Sequence, residues 1–265
     1  MPGTTIIITG TSSGVGLALG NYFHKKGYLV FGLSRSVPEG ADFTTIPTDI
    51  TREDEVKNAF QHIFQKTERI DWVINNAGRG MIGSVENATR EEIINLFTLN
   101  LIAAVRIISE TLPVMRKANK GKIINISSIG SVMGLPFRGF YSASKSSLDM
   151  ITEALRYELK NTDIEVCTVN LGDIRTNIAE SRIKSDISKI YKYDFEKVHD
   201  RMDVDVNTGT DPEKLPPFIE KLLLQKSRLK PHYYFGAFTQ KLSVMAKSIL
   251  PQKWFEKIIA KYSGI

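Results

Sequence analysis

Tyr141 and Lys145 stand four residues apart in Tyr141-Ser-Ala-Ser-Lys145, a spacing that puts them on one face of a helix. A free tyrosine titrates near pH ~10, too high for acid–base work at neutral pH. A lysine ammonium one turn away favours the phenolate and lowers that value. The pair therefore suits proton exchange with a C–OH/C=O couple. Ser128, at the head of the same stretch, is placed to hold the oxygen of that couple. A Tyr-x-x-x-Lys pair alone is equally a solvated helix face, so the remainder of the chain has to decide.

A second set of residues suits a nucleotide. Thr9-Gly-Thr-Ser-Ser-Gly-Val-Gly16 follows a β-branched run, Thr4 to Thr9, and precedes a helical pattern. Gly10 permits a sharp turn, Gly14 lets backbone approach a ligand, and Gly16 lets the helix pack close. The helix N-terminus then offers free N–H groups and a positive dipole end to phosphate. The spacing is G-x-x-x-G-x-G, not the commoner G-x-G-x-x-G. The second strand ends in Ser34-Arg35-Ser36 with no acid. An acid there would take a ribose 2′-OH, whereas an arginine suits a 2′-phosphate. This points to NADP rather than NAD.

These residues need elements to position them. Strand-like runs are expected at Thr4 to Thr9, Tyr28 to Ser34, Phe43 to Asp49, Asp71 to Asn75, Gly121 to Ser127, Ile164 to Asn170 and His232 to Phe235. Helical patterns fall between them, at about Val15 to Lys26, Thr51 to Lys66, Ala88 to Lys117 and Phe140 to Lys160. Thr51-Arg-Glu-Asp reads as a capping box with Thr51 as N-cap. Asp211-Pro212-Glu213 opens a further helix. Alternating strand and helix means α/β: a doubly wound, Rossmann-like parallel sheet with helices on both faces. No composition shift marks a linker, so 1–265 is expected to be one catalytic domain.

Two stretches depart from the alternation. Residues 175–210 are long for a loop and read as a substrate loop or lid. The tail, 238–265, reads as amphipathic helix. Phe238, Leu242, Met245 and Ile249 step along one face, and Trp254, Phe255, Ile258, Ile259 and Tyr262 follow. Lys241, Lys247, Lys253, Lys257 and Lys261 stand against one acid, Glu256. Such a tail can touch an anionic membrane surface, or pack its apolar face on the domain or a partner subunit.

The net charge is +6 and attracts anions without choosing among them. The one cysteine, Cys167, excludes an internal disulfide and lies in an apolar run. Four scattered histidines make no metal site. No recognition motif for nucleic acid is present. No signal peptide or apolar run near ~18 residues is evident, so a cytoplasmic, possibly membrane-associated, location is expected.

Together these motifs resemble the short-chain dehydrogenase/reductase superfamily over about residues 4 to 236. Thr9-Gly10 to Gly16 matches T-G-x-x-x-G-x-G, Asn75-Asn76-Ala77-Gly78 matches N-N-A-G, and Tyr141 to Lys145 matches Y-x-x-x-K. The resemblance implies a catalytic set of Asn100, Ser128, Tyr141 and Lys145. It implies NADP(H) contacts at Gly10, Ser12, Ser13, Gly14, Val15 and Gly16. Further contacts would come from Ser34, Arg35, Asp49, Ile50, Asn76, Ala77 and Gly78. Ile174, Thr176, Tyr141 and Lys145 would complete them.

By the same resemblance Tyr141 protonates a carbonyl as hydride arrives, or the reverse. Lys145 lowers the tyrosine pKa and holds the nicotinamide ribose. Ser128 donates to the substrate oxygen, and Asn100 bends its helix and holds a relay water. Homo-oligomers, dimers or tetramers, built through the two long helices are implied. One departure is Leu171-Gly172 where the family commonly has proline–glycine, which is expected to loosen that loop. Met133, Leu135, Pro136, Phe137 and Phe140 suggest an apolar substrate wall, hence a steroid, retinoid or acyl-lipid alcohol or ketone, as in the hydroxysteroid and retinol dehydrogenase-like branch. Arg138 faces an anionic group or solvent. The rival readings are a catalytically silent NADP(H)-sensing protein and a membrane-surface interaction protein.

Overall fold

The structure is a computed structural model and describes residues 3–175 and 181–265. β1 (Thr5–Thr9) is five consecutive buried residues, as a strand covered on both faces must be. Successive side chains leave it in opposite directions. Ile7 joins a core with Val56, Phe60, Ile107 and Leu155. Ile6 and Ile8 join a second core with Leu19, Phe23, Leu215 and Ile219. The first core lies under α2 (Glu53–Phe64), α4 (Ala103–Ala118) and α5 (Gly139–Glu158). The second lies under α1 (Gly14–Lys25) and α7 (Leu215–Leu224).

The sheet between these layers runs β3 (Thr44–Pro47), β2 (Leu29–Ser34), β1, β4 (Trp72–Asn75), β6 (Gly121–Ser128), β7 (Ile164–Leu171), β9 (His232–Phe235). Every pairing in it is parallel. The strand order reverses between β1 and β4, and ligands of open α/β sheets bind beyond the strand ends at such a switch. A two-stranded piece, β5 (Met81–Ile82) with β8 (Ile183–Lys184), stands apart.

The long pattern Ala88–Lys117 is three pieces rather than one regular helix. α3 (Arg90–Phe97) is closed by a capping box of Thr89 and Glu92. A π-helical turn, Thr98–Ile102, follows and passes into α4. The whole run 90–118 is long and apolar enough to cross a membrane by length and composition. Here Ala103, Ile107, Ile108, Leu112 and Met115 are buried against the sheet, as in a core helix.

The expected cap on α2 is corrected. The N-cap is Arg52, without a side-chain cap bond, and the Thr51 hydroxyl donates to Asp49 at 2.6 Å instead. Residues 175–210 are expected from the sequence to form a substrate loop or lid. Among their described residues they hold β8 and α6 (Lys192–Asn207). The tail forms α8 (Phe238–Ile249) and α9 (Gln252–Ser263). Phe255 and Ile259 of α9 and Val244 and Ala246 of α8 pack with Ile129 and Met133.

Candidate active site

The site lies where loops leave the sheet at the C-terminal ends of its strands. Gly10, after β1, has φ +71°, a left-handed conformation that favours glycine, and a Cβ on it would lie 2.7 Å from Ala77 Cα. At Gly16 a Cβ would drive into the Gly10 carbonyl and lie 2.6 Å from Asn76 Nδ2. Asn76 Nδ2 donates to the Thr9 and Gly10 carbonyls at 3.0 and 3.1 Å. The Asn76 and Ala77 amides donate to Thr9 Oγ1 at 3.1 and 3.0 Å. The loops after β1 and β4 are thus one backbone cradle. Ser12 and Ser13 are exposed, and Ser13 is the N-cap of α1 with no side-chain cap bond. Val15 packs at the edge of the second core.

The end of β2 borders this cradle. Thr11 Oγ1 donates to Ser34 Oγ at 3.2 Å, which donates to the Ser36 carbonyl at 2.8 Å. Arg35 is exposed. Asp49 is pushed up by burial, but the hydroxyl and amide hydrogen bonds of Thr51, with the charges of Arg35 and Arg52, bring it below the usual carboxylate range. The Ile50 side chain is buried in the first core with Val56 and Phe60.

The acid–base group forms where β6, the π turn and α5 meet. Ser128 ends β6, and its hydroxyl is close enough to the Tyr141 phenol to favour the phenolate. The same oxygen accepts the Gly130 amide at 3.0 Å. Lys145 is buried and donates to the Ile126 carbonyl at 2.9 Å. A Cβ on Gly78 would lie 3.1 Å from Lys145 Nζ and 3.3 Å from Asn100 Oδ1, so glycine is what lets the cradle approach them. Asn100 lies in the π turn. Its Oδ1 accepts the Arg79 amide at 2.8 Å, and its Nδ2 donates to the Arg79 carbonyl and Ser144 Oγ at 2.9 and 3.0 Å. Ser144 Oγ in turn donates to the Tyr141 carbonyl at 2.8 Å.

Burial raises the Tyr141 pKa above the usual value. The Ser128 hydrogen bond and the Arg138 charge are the largest effects opposing it. The expected lowering by Lys145 is therefore corrected: in this arrangement serine and arginine do that work. Burial lowers Lys145 to about 8, partly countered by Asp149. An ammonium with a pKa near 8 still holds its proton at neutral pH.

Several residues here escaped the motif reading. Asp149 lies one turn beyond Lys145, and its Oδ2 accepts from Ser131 Oγ at 2.5 Å and Asn170 Nδ2 at 2.8 Å. Asn170 also donates to the Ser128 carbonyl at 3.2 Å, fixing the serine from behind. The i,i+4 step from Lys145 to Asp149 was the available signal. Arg138 is half-buried and faces an anionic group, Asp173: burial lowers its pKa, the Asp173 charge opposes that, and its Nε has no hydrogen-bond partner among the described residues. Phe137 before it has φ +56°, rare for an aromatic residue, and its ring meets Phe195 at 5.4 Å and Tyr191 at 6.3 Å. That contact ties the α6 segment to the start of α5.

Beyond β7, the expected loosening at Leu171 is not found. Leu171 is paired with Ser128 and Phe235, and the Gly172 amide donates to Phe235 at 2.8 Å. Asp173 is pushed up by burial and accepts a hydrogen bond from Gln240 of α8. Ile174 is buried and bridges to Thr210. Thr176 lies outside the described residues.

Of the apolar wall, Leu135 and Pro136 line an open cleft of about 340 Å³ with Phe255, Ile259 and Ala260 of the tail. Ser128, Tyr141 and Lys145 are not among its lining residues. Met133 is buried in the core instead.

A doubly wound parallel sheet, a glycine cradle at its switch point and a Ser–Tyr–Lys group beside it define a nicotinamide-dependent oxidoreductase class. A profile of the short chain dehydrogenase family matches residues 4–186. The chain belongs to that family. A 3-ketodihydrosphingosine reductase of Bacteroides thetaiotaomicron is 36% identical over 267 residues, 98% of each chain. A probable short-chain type dehydrogenase/reductase of Helicobacter pylori is 29% identical over 95% of each. A short-chain dehydrogenase structure from Streptomyces avermitilis superposes with TM-score 0.81 and 25% identity over 97% of each chain.

Proposed function

We propose that this oxidoreductase reduces a long-chain, lipid-like ketone with NADPH. The observation that carries the reading is the gathering of Ser128, Tyr141 and buried Lys145 near Gly78, next to the Gly10–Gly16 cradle. The cradle fits a dinucleotide, because side chains at Gly10, Gly16 or Gly78 would fill it. Gly14, Ser12, Ser13 and the α1 N-terminus would take the pyrophosphate. Ser34 and Arg35 would take a 2′-phosphate, Asp49 and the Ile50 backbone the adenine, and Asn76, Ala77, Gly78 and Ile174 the remainder. When bound, the nicotinamide supplies hydride.

The chain's own residues then manage the proton. Ser128 Oγ orients the substrate carbonyl and stabilises developing negative charge. Tyr141, neutral at physiological pH, gives its proton to that oxygen. Ser128 and the Arg138 charge steady the phenolate left behind, and the Lys145 ammonium holds the ribose. Asn100 locks Arg79 and Ser144 with its side chain, and the carbonyls loosened by the π turn hold the relay water. Leu135, Pro136 and the tail residues of the cleft accept the apolar chain. The Bacteroides relative, by its name, acts on such a ketone. We propose a homo-oligomer joined through the exposed Ile102, Val105, Met150 and Tyr157 of the α4 and α5 faces.

The test is NADPH and NADH oxidation with 3-ketodihydrosphingosine, in wild type and Tyr141→Phe. NADPH oxidation reduced about 10³-fold by the substitution is expected. Cofactor binding without turnover of any ketone would favour the silent NADP(H)-sensing reading instead.

A further inference from the structure

α8 docks on the domain by the side opposite to the one its sequence advertises. Gln240, Val244 and Ala246 face inward, with Gln240 on Gly172 and Asp173 and the other two on the Ile129–Met133 cluster. The apolar stripe points out. Phe238 is 75% exposed, Leu242 49%, Met245 59% and Ile249 74%. α9 buries Phe255 but leaves Trp254 68% and Ile258 46% exposed. Six large apolar side chains on two successive helices therefore stand in water, which a globular surface rarely tolerates without a partner.

The charge around them selects that partner. Lys241, Lys253, Lys257 and Lys261 are exposed on the same two helices, and Glu256 is the sole acid in 238–265. Of the acids of neighbouring α6, Asp203 is engaged with Arg182 at 2.7 Å and Asp205 with Tyr262 at 2.6 Å and Arg201 at 3.3 Å, while Asp200 stays exposed in a groove shared with Lys261. A second copy would bring lysine against lysine. An anionic surface would meet lysine with its opposite charge and accept the apolar stripe below it. Tryptophan suits the level where headgroups meet acyl chains.

We propose that the outward faces of α8 and α9 dock the protein on an anionic lipid bilayer. The docking does not rest on the reductase reading, but its use does. The inner residues of α9, Phe255 and Ile259, line the cleft with Leu135 and Pro136. Docking would therefore bring that cleft to the bilayer holding its substrate.

The test is flotation of the full-length protein with phosphatidylcholine vesicles, with and without phosphatidylglycerol, at low and high salt. Two double variants are compared, M245E/I249E and W254E/I258E, which alter exposed residues outside the cleft lining. Wild type should bind the anionic vesicles at least about tenfold better than neutral ones, and high salt should remove most of that gain. Each double variant should lose about tenfold in binding. Circular dichroism and turnover of a short water-soluble ketone should stay at the wild-type level. No binding to anionic vesicles, or binding indifferent to both variants, would overturn the proposal. So would dissociation of the wild-type oligomer by these substitutions in sedimentation velocity, which would assign the face to a second copy. Vesicle binding that persists while no ketone is turned over would support docking and sink the reductase reading.

Discussion

Residues 4–128 and residues 172–265 meet at one edge of one sheet, yet they hold their places on different terms. The first region is fixed by backbone approach. Gly10, Gly16 and Gly78 have no room for a Cβ, and Asn76 ties β1 to β4 through main-chain carbonyls. The second is fixed by side chains: Gln240 on Asp173, Phe137 on Phe195, Phe255 in a small cluster with Ile129 and Met133. Backbone contacts leave few residue choices and little freedom. Side-chain contacts can be redrawn one at a time. A family can therefore keep its cofactor grip while its substrate side diverges.

Substitutions in the two regions should separate accordingly. Gly16→Ala should have the largest effect, since its Cβ would enter the Gly10 carbonyl. Cofactor affinity measured by fluorescence titration should fall more than about 100-fold, or the chain should fail to fold. An intact cofactor site in that variant would break the comparison. Phe255→Ala empties a site only 2% exposed and should cost about 3 kcal/mol locally. Limited proteolysis should then cut near α9 while cofactor affinity holds. Loss of cofactor binding there would show the regions to be less separate than described.

How much of this was legible in the sequence follows the same division. The cradle and the Ser128–Tyr141–Lys145 set were visible because backbone geometry restricts which residues can stand there. The π turn at Thr98–Ile102 was not, since periodicity over five residues cannot register one extra residue per turn. The apolar stripe of α8 suits a membrane surface, the domain or a partner subunit equally in the sequence, and the fold alone shows which face docks. The site awaiting α8 is polar, formed by Gly172 and Asp173, and so it took Gln240. Asp149 and Asn170 act through other side chains, and only the fold brings them to Ser128 and Lys145.

Two smaller effects sharpen the picture. Arg35→Glu should lower the NADPH-over-NADH preference roughly 30-fold, about 2 kcal/mol, in paired kcat/KM measurements. Arg138→Gln removes a positive charge that holds the Tyr141 phenol down. Its pKa should then rise, so alcohol oxidation, which needs the phenolate, should shift to higher pH. An unshifted profile would remove Arg138 from the acid–base group.

The most direct single measurement is kcat/KM for NADPH-dependent reduction of a series of 3-ketones of increasing chain length. Each added CH₂ that enters the cleft beside Leu135 and Phe255 is worth about 0.8 kcal/mol, or roughly fourfold. The expected result is a steep rise with length that levels once the chain outgrows the cleft, and its disappearance in Tyr141→Phe. A flat series, or a preference for small polar ketones, would contradict a lipid-like substrate and leave the cleft without a role.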